Sequence, residues 1–471
     1  MQGQLPPVQS PGPLHRHGGF DYGRIPVETW DHIFRLPYLG IDDLKRISLS
    51  CRSFRHIAQS VLCEGVVLPI LSPYGSDYKR VIAFLSRDSI LGRVKRVAIG
   101  RTGMMDPKTR CITRTIFPRG PSEKTCPTQD QSQRSLWKPA AAPFIHSPPQ
   151  IHEFISTLVP LNNLNTLSFT HITLCVSDLG QLLQLPNLTC LRLEQCSLDD
   201  SEDAYPHDVS GPTMFRLKTL MIINCNLSRA SINALMGLLS IPTLRNLTAL
   251  GTPPHFNKLI TSSAFPSLLR LQIAQPPPPG REARLLSRLP RLKEFVCSSV
   301  EVLQDEAQLR IWEEDHIAGN FQSFIGPATS LARFLTPSLR EIKLTGPLHP
   351  IHFAEDIQRI RDRCPQLISL ELPIITLNLP VALPVIFHFL RGIRELGVSQ
   401  EHFGITDVKE VIRVLCESDL PPTLKKLHLS LGGIEPDAND QRAKEHAEGV
   451  ALVRSSKPQL EKLDIVRYSP I

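Results

Sequence analysis

The stretch Leu188-Thr189-Cys190-Leu191-Arg192-Leu193-Glu194-Gln195-Cys196-Ser197-Leu198 returns as Leu217-Lys218-Thr219-Leu220-Met221-Ile222-Ile223-Asn224-Cys225-Asn226-Leu227. Its skeleton, Leu-x-x-Leu-x-Leu, recurs as Leu164/Leu167/Phe169, Leu244/Leu247/Ala249, Leu268/Leu271/Ile273 and Leu292/Phe295/Cys297. It continues as Leu339/Ile342/Leu344, Leu367/Leu370/Leu372, Ile393/Leu396/Val398, Leu424/Leu427/Leu429 and Leu460/Leu463/Ile465. These eleven matches are spaced 24 to 36 residues apart, with one doubled gap of 47 between Leu292 and Leu339. A weaker unit at Val94/Val97/Ile99 opens the series. The last two apolar residues of each phrase alternate with polar ones, the period of a half-buried strand. Between phrases lie amphipathic stretches such as 228–240 and 351–364. In the latter, Ile351, Ala354, Ile357, Ile360 and Ile368 stand near helical spacing. One strand and one helix cannot bury an apolar face alone, so the units are expected to stack.

Composition sets limits on this picture. Proline is 42 of 471 residues, about 9% against a usual ~5%. Lacking a backbone donor, it argues against long helices, central strands, a coiled coil and a large parallel sheet of the dehydrogenase type. Eight prolines (186, 242, 266, 290, 337, 365, 422 and 458) share one phase, two residues before a repeat's first leucine. There each is expected to end a helix and start the extended segment. Net charge is +7, and residues 101–149 carry eight Lys/Arg against three Asp/Glu, so most of the excess is one segment's property. That segment, rich in Pro, Ser and Thr, reads as a disordered insertion. Met1–Gly23 is a polar, Pro-rich tail without the apolar core of a secretory signal. The apolar run 379–390 is too short to span a bilayer. Eleven cysteines with no CxxC read as reduced thiols of a cytoplasmic and/or nuclear protein.

The chemistry-bearing motifs are few. No Gly-x-Ser-x-Gly, phosphate-binding Gly-rich loop or paired CxxC occurs, and His152-Glu153 lacks the second histidine of a zinc-protease helix. Pro276–Pro279 reads as a rigid loop between repeats. Cys196 and Cys225 fit a buried turn position better than a nucleophile. No catalytic, cofactor-binding or metal-ligating residue is expected, and the chain reads as a non-enzyme.

Residues 24–63 read as three short helices. Pro26 suits a first turn, and Val27, Trp30, Ile33 and Phe34 share one face. Asp42 or Asp43 is expected to cap a second helix with Leu44, Ile47 and Leu49, and Ser50 or Ser53 a third. In that third helix Phe54, Ile57, Ala58, Val61 and Leu62 keep helical spacing. So many apolar groups in about 40 residues exceed what a small fold buries, which predicts a partner.

Two resemblances follow from these residues. Ile25-Pro26-Val27-Glu28-Thr29-Trp30-Asp31-His32-Ile33-Phe34, then Asp43-Leu44, then Cys51-Arg52-Ser53-Phe54 resembles the F-box. The departures are Ile25 for leucine, Trp30 for a smaller aliphatic, Ser50 for valine, and about two extra residues before Leu44. The resemblance implies docking onto the Skp adaptor of a cullin ubiquitin ligase through Ile25, Pro26, Ile33, Phe34 and Leu44. Residues 150–471 resemble leucine-rich repeats in degenerate form, the style of fungal F-box proteins. The expected fold is α/β: a three-helix F-box, then a curved solenoid with a parallel sheet on its concave face. The expected organisation is a tail (1–23), F-box (24–68), connector with a first irregular repeat (69–100), insertion (101–149) and solenoid (150–471). Outward strand positions, among them Arg192, Glu194, Met221, Arg270, Gln272, Lys343, Glu371, Lys426 and His428, are the candidate target-binding face. Their mixed signs suit a protein better than a phosphate backbone. The implied function is a substrate receptor of an SCF-type ligase, with no cofactor. Alternatives are an F-box/repeat scaffold without ubiquitylation and, below it, nucleic-acid binding through 101–149.

Overall fold

The computed structural model describes residues 26–35, 41–69, 83–87, 90, 92–100, 150–182, 185–199, 216–228, 231–232, 235, 242–275, 282–297, 320–346, 348, 350–374, 378–400, 408–432 and 441–468. The tail 1–23, the insertion 101–149, the tract 276–279 and Ile25 lie outside the described residues. These residues fall into two compact units, one holding those up to Val67 and the other those from Leu68 on.

The smaller unit contains helices α1 (Val27–Phe34), α2 (Ile41–Ser50) and α3 (Arg52–Cys63). Phe34, Leu44, Ile57 and Ala58 form its core, with Trp30, Ile33, Ile47, Phe54, Val61 and Leu62 packed around them. Trp30, Phe34 and Phe54 make an aromatic triangle with centroids 4.7 to 5.9 Å apart. The expected caps differ. Asp42 and Asp43 lie within α2 rather than ahead of it, so neither is its cap. The cap of α3 is Cys51, whose sulfur accepts the Phe54 N–H at 3.4 Å, while the Ser50 hydroxyl donates back to the Ile47 carbonyl.

The larger unit is built on parallel strands that follow one another in chain order. They are β2 (Arg96–Gly100), β3 (Thr166–Thr170), β5 (Cys190–Glu194), β7 (Thr219–Ile223), β9 (Asn246–Leu250), β10 (Arg270–Ile273) and β11 (Glu294–Cys297). The series continues with β12 (Ser323–Gly326), β13 (Glu341–Leu344), β14 (Ser369–Ile374), β15 (Glu395–Gln400), β16 (Lys426–Gly432) and β17 (Lys462–Tyr468). A further strand, β1 (Gly65–Pro69), straddles the boundary between the two units, and the thirteen strands just named form one parallel sheet. A second sheet of three short strands, β4 (Thr173–Cys175), β6 (Ser197–Asp199) and β8 (Asn226–Leu227), takes up the last leucines of the repeated phrase. All eleven phrases form strands, and their leucines align in register: Leu191 opposite Leu220, Leu220 opposite Leu247, Leu247 opposite Leu271. The weak unit at Val97 joins the same row opposite Leu167.

This parallel sheet runs in chain order, as stacked repeats require and unlike the dehydrogenase type excluded above, and the phased prolines sit where no ladder donor is required. Leu188, Leu268, Leu292, Leu339, Leu367, Leu424 and Leu460 each donate an N–H to the carbonyl three residues earlier, at 3.0 to 3.3 Å. The phased proline is therefore the second residue of a β-turn, where its fixed φ fits and its missing donor costs nothing. It opens a turn rather than the strand itself. Pro373 does lie within β14, and Pro384 within the helix Leu379–Phe389.

The doubled gap holds a repeat that the leucine pattern missed. Phe321, Phe324 and Gly326 occupy its three apolar positions, with Phe324 opposite Phe295 and Ile342. Only 18 residues separate Phe321 from Leu339. They fit a four-residue helix, Ala328–Leu331, and a single 3-10 turn, Ala332–Phe334. Aromatic volume fills what a longer helix would: the Phe334 ring lies 4.6 Å from Phe295 and 5.7 Å from Phe324. Glycine is required at 326, because a Cβ there would stand 2.9 Å from the Phe324 ring and 3.2 Å from Cys297 Cβ.

The helix expected over 351–364 spans Phe353–Arg363, preceded by a 3-10 turn at Pro350–His352. Its buried face is Phe353, Asp356, Ile357 and Ile360; Ile351 is 79% exposed, Ala354 is exposed, and Ile368 lies beyond the helix. Of 228–240, only Ser228, Ser231, Ile232 and Leu235 are described, the last three helical and buried. Restoring the leucine pattern by Gly326→Leu is expected to destabilise the chain by about 1–3 kcal/mol through overpacking, read as a lower urea midpoint.

Candidate functional site

Two surfaces qualify. On the smaller unit, Phe34 and Leu44, expected at a partner surface, are 3% and 6% exposed and belong to the internal core. Ile33 is half-buried and Pro26 exposed. What the helices leave in solvent is Val27 at 61% and Leu49 at 76%. An aliphatic side chain left so open forgoes about 1.5–3 kcal/mol of burial. The unit is tied together by Arg35, which reaches Asp31 at 2.7 Å and the nearly buried Glu64 at 2.6 Å. Those two carboxylates push the Arg35 guanidinium up from its ordinary value.

The second surface is the sheet face that alternates with the buried leucines. Register places Arg192 opposite Met221, Met221 opposite Thr248, and Thr248 opposite Gln272. The row runs on through Val296 and Ile325 to Lys343, Glu371, Gly397, His428 and Asp464. Glu194, Arg270 and Lys426 stand in flanking rows of the same face, so all nine sequence-predicted residues are brought to one side. Sequence reading missed Thr248, Val296, Ile325, Glu294 and Glu395. Phe295-Val296-Cys297 and Phe324-Ile325-Gly326 lack polar alternation, and only the register shows which of their residues face outward.

The face is mixed. Part of it carries half-buried Met221, Ile223, Leu250 and Ile325, and Val296 in the same row is buried. Ion pairs stand on both sides of these residues and, at Arg270–Glu294, among them: Arg192–Glu194 at 2.7 Å, Arg270–Glu294 at 3.4 Å, Lys343–Glu371 at 2.7 Å, Lys426–Glu395 at 2.6 Å and Lys462–Asp464 at 2.9 Å. Arg270–Glu294, Lys343–Glu371 and Lys426–Glu395 join residues directly opposite in neighbouring strands, the arrangement in which cross-strand charges attract. Each of these cations already has its counter-ion on the protein. Such a face has little attraction left for a polyanion.

The strand ends explain the cysteines. After β3, β5, β7 and β9 the chain turns through a residue with positive φ: His171, Gln195, Asn224 and Gly251. The first three donate their N–H to the strand-end carbonyls of Glu194, Ile223 and Leu250 at 2.7 to 3.0 Å. Next in line, Cys196 Sγ donates to the Phe169 carbonyl and Cys225 Sγ to the Leu193 carbonyl, each 3.4 Å away in the preceding repeat. Burial pushes the Cys196 thiol well up, and the Cys364 thiol up to about 12.

Among the described residues no group of three His, Cys, Asp or Glu could hold a metal ion, and no helix is long and apolar enough to cross a membrane. Because a maleimide must reach the sulfur, it is expected at neutral pH to label exposed Cys51 in the native chain, whereas the buried thiols are out of its reach. Cys196, Cys225, Cys297 and Cys364 are expected to stay unmodified until urea is added, as peptide mass mapping would read. A scan against protein-family models finds none that matches this chain, and a search of curated proteins finds no significant similarity.

Proposed function

We propose that the chain is the substrate-recognition subunit of an SCF-type cullin ubiquitin ligase. In this reading helices α1–α3 are an F-box that docks the Skp adaptor. The strand–helix units from β2 onward are a leucine-rich-repeat solenoid whose concave sheet face binds a target protein. The observation that carries the reading is the pairing of a small helical unit bearing exposed Val27 and Leu49 with a long, in-register array of repeats. An apolar helix face beside a groove-bearing partner is a common docking mode. The array offers a face of half-buried apolar residues among self-neutralised charges, the composition of a protein-binding surface.

No reacting group on this chain is needed. Holding a target's lysines near a charged transfer enzyme raises their effective concentration, and that proximity is the whole catalytic contribution. Contact with the adaptor falls to Pro26, Val27 and Leu49, with Ile33 partly available. Phe34 and Leu44 hold the helices that present them.

The test is a pull-down of the full chain by the Skp adaptor, compared with Val27→Asp/Leu49→Asp. Both positions are exposed, so the variant is expected to keep its fold and lose at least about tenfold in adaptor affinity, the cost of burying charge in an apolar contact. Equal binding by the two proteins, or none by either, rejects the adaptor assignment.

A further inference from the structure

One row of side chains belongs to neither surface. The residue immediately before each strand donates its backbone N–H to the equivalent residue one strand back, forming an unbroken chain. Arg245 donates to Lys218 at 2.9 Å, Leu269 to Arg245 at 2.7 Å, and Lys293 to Leu269 at 2.8 Å. Gln322, Arg340, Ile368 and Arg394 continue it, each to the one before, at 2.8 Å. Lys218, Arg245, Lys293, Arg340 and Arg394 are all exposed. From Arg245 to Arg394 every second position is a cation; the next position, Lys425, is paired with Glu461 at 2.6 Å. With strands ~4.8 Å apart, Arg245, Lys293, Arg340 and Arg394 recur every ~10 Å along the edge where the strands begin, with Lys218 one strand before Arg245.

Their electrostatic state is unlike that of the sheet face. Among the described residues none of the five side chains makes an ion pair or a hydrogen bond. The acids that follow three of them in the chain are Glu294, Glu341 and Glu395. Of these, Glu294 is engaged with Arg270 and Glu395 with Lys426. The edge is thus a row of unspent positive charges at regular intervals, with carboxylates one residue further in.

We propose that this row docks an extended acidic segment of a partner protein, one carboxylate to each cation, with uncharged residues between. A chain in the polyproline II conformation advances ~3.1 Å per residue with three residues per turn, so acidic side chains at every third position share one face and match the ~10 Å interval. A nucleic-acid backbone fits less well, because its phosphates are spaced far more closely than the cations and Glu294, Glu341 and Glu395 stand one residue further in. This names the partner's chemistry for the proposed target-binding array. It rests on that protein-binding role and not on adaptor docking.

The test uses the full chain and a fluorescein-labelled peptide of five Glu-Ser-Ser units, read by anisotropy at several salt concentrations. A peptide with the same five glutamates in one block and a labelled single-stranded oligonucleotide serve as comparisons. The spaced peptide is expected to bind most tightly and to weaken with salt. Arg245→Glu/Lys293→Glu/Arg340→Glu is expected to reduce its affinity about tenfold or more, while Arg245→Lys/Arg340→Lys retains it. The unfolding midpoint of the reversed variant is expected to be unchanged, since all three side chains are exposed and unpaired. The inference is overturned by absent peptide binding, by equal binding of spaced and blocked peptides, by an unchanged reversed variant, or by tighter oligonucleotide binding lost in that variant. Failure of the adaptor pull-down alongside intact peptide binding overturns the ligase reading alone.

Discussion

One backbone hydrogen bond, repeated between successive strands, organises the larger unit. The residue before each strand donates to its counterpart one strand back, from Lys218 on Thr189 through Lys425 on Arg394, at 2.7 to 2.9 Å. That bond sets the register, and register decides everything a strand exposes. A slip of one residue would send Leu191, Leu220 and Leu247 to solvent and bury Arg192 and Met221. The phased prolines serve the same end. By closing a β-turn just upstream, they deliver each chain to its starting point without occupying a ladder donor.

Where repeats depart from the common pattern, the register holds and packing changes instead. The short unit between Phe321 and Leu339 has room for barely two helical turns, and four phenylalanines fill the space. Its glycine at 326 is a consequence of those rings rather than a relaxed loop position. His171 and Gln195 accept a positive φ that suits Asn224 or Gly251 better, at a cost of about 1–2 kcal/mol each. A backbone bond to the next repeat and burial of the following residue hold them there. The cysteines at 196 and 225 belong to this device, since their thiols bridge back to the preceding repeat.

The same register separates the molecule's charges into two populations. On the sheet face, opposite charges stand directly across neighbouring strands and satisfy one another. At the edge where strands begin, Lys218, Arg245, Lys293, Arg340 and Arg394 make no ion pair among the described residues. The unpaired positive charge of the strand starts therefore stands where a partner's carboxylates could meet it. Apolar face residues for affinity and an unspent edge for orientation are a division of labour that protein interfaces commonly use.

The existence of the repeats, the strand positions and the side of the sheet taken by all nine face residues were legible because leucine spacing and strand alternation are local properties. Pro186 and its equivalents were visible as punctuation, although the turn they make was not. The residues that sequence reading misplaced depend on distant neighbours. Phe34 and Leu44 are buried because α3 packs over them, which leaves Val27 and Leu49 outside. Ile351 yields its place to Phe353 because a 3-10 turn rotates the helix entry. The repeat at Phe324 replaces leucine with aromatic volume that only Phe295 and Phe334 justify. Sequence alone determined that this chain stacks strand–helix units, since each unit's apolar stripe has nowhere else to go. Tertiary structure alone decided which charges cancel and which stay free, because that depends on which residues the backbone ladder sets side by side.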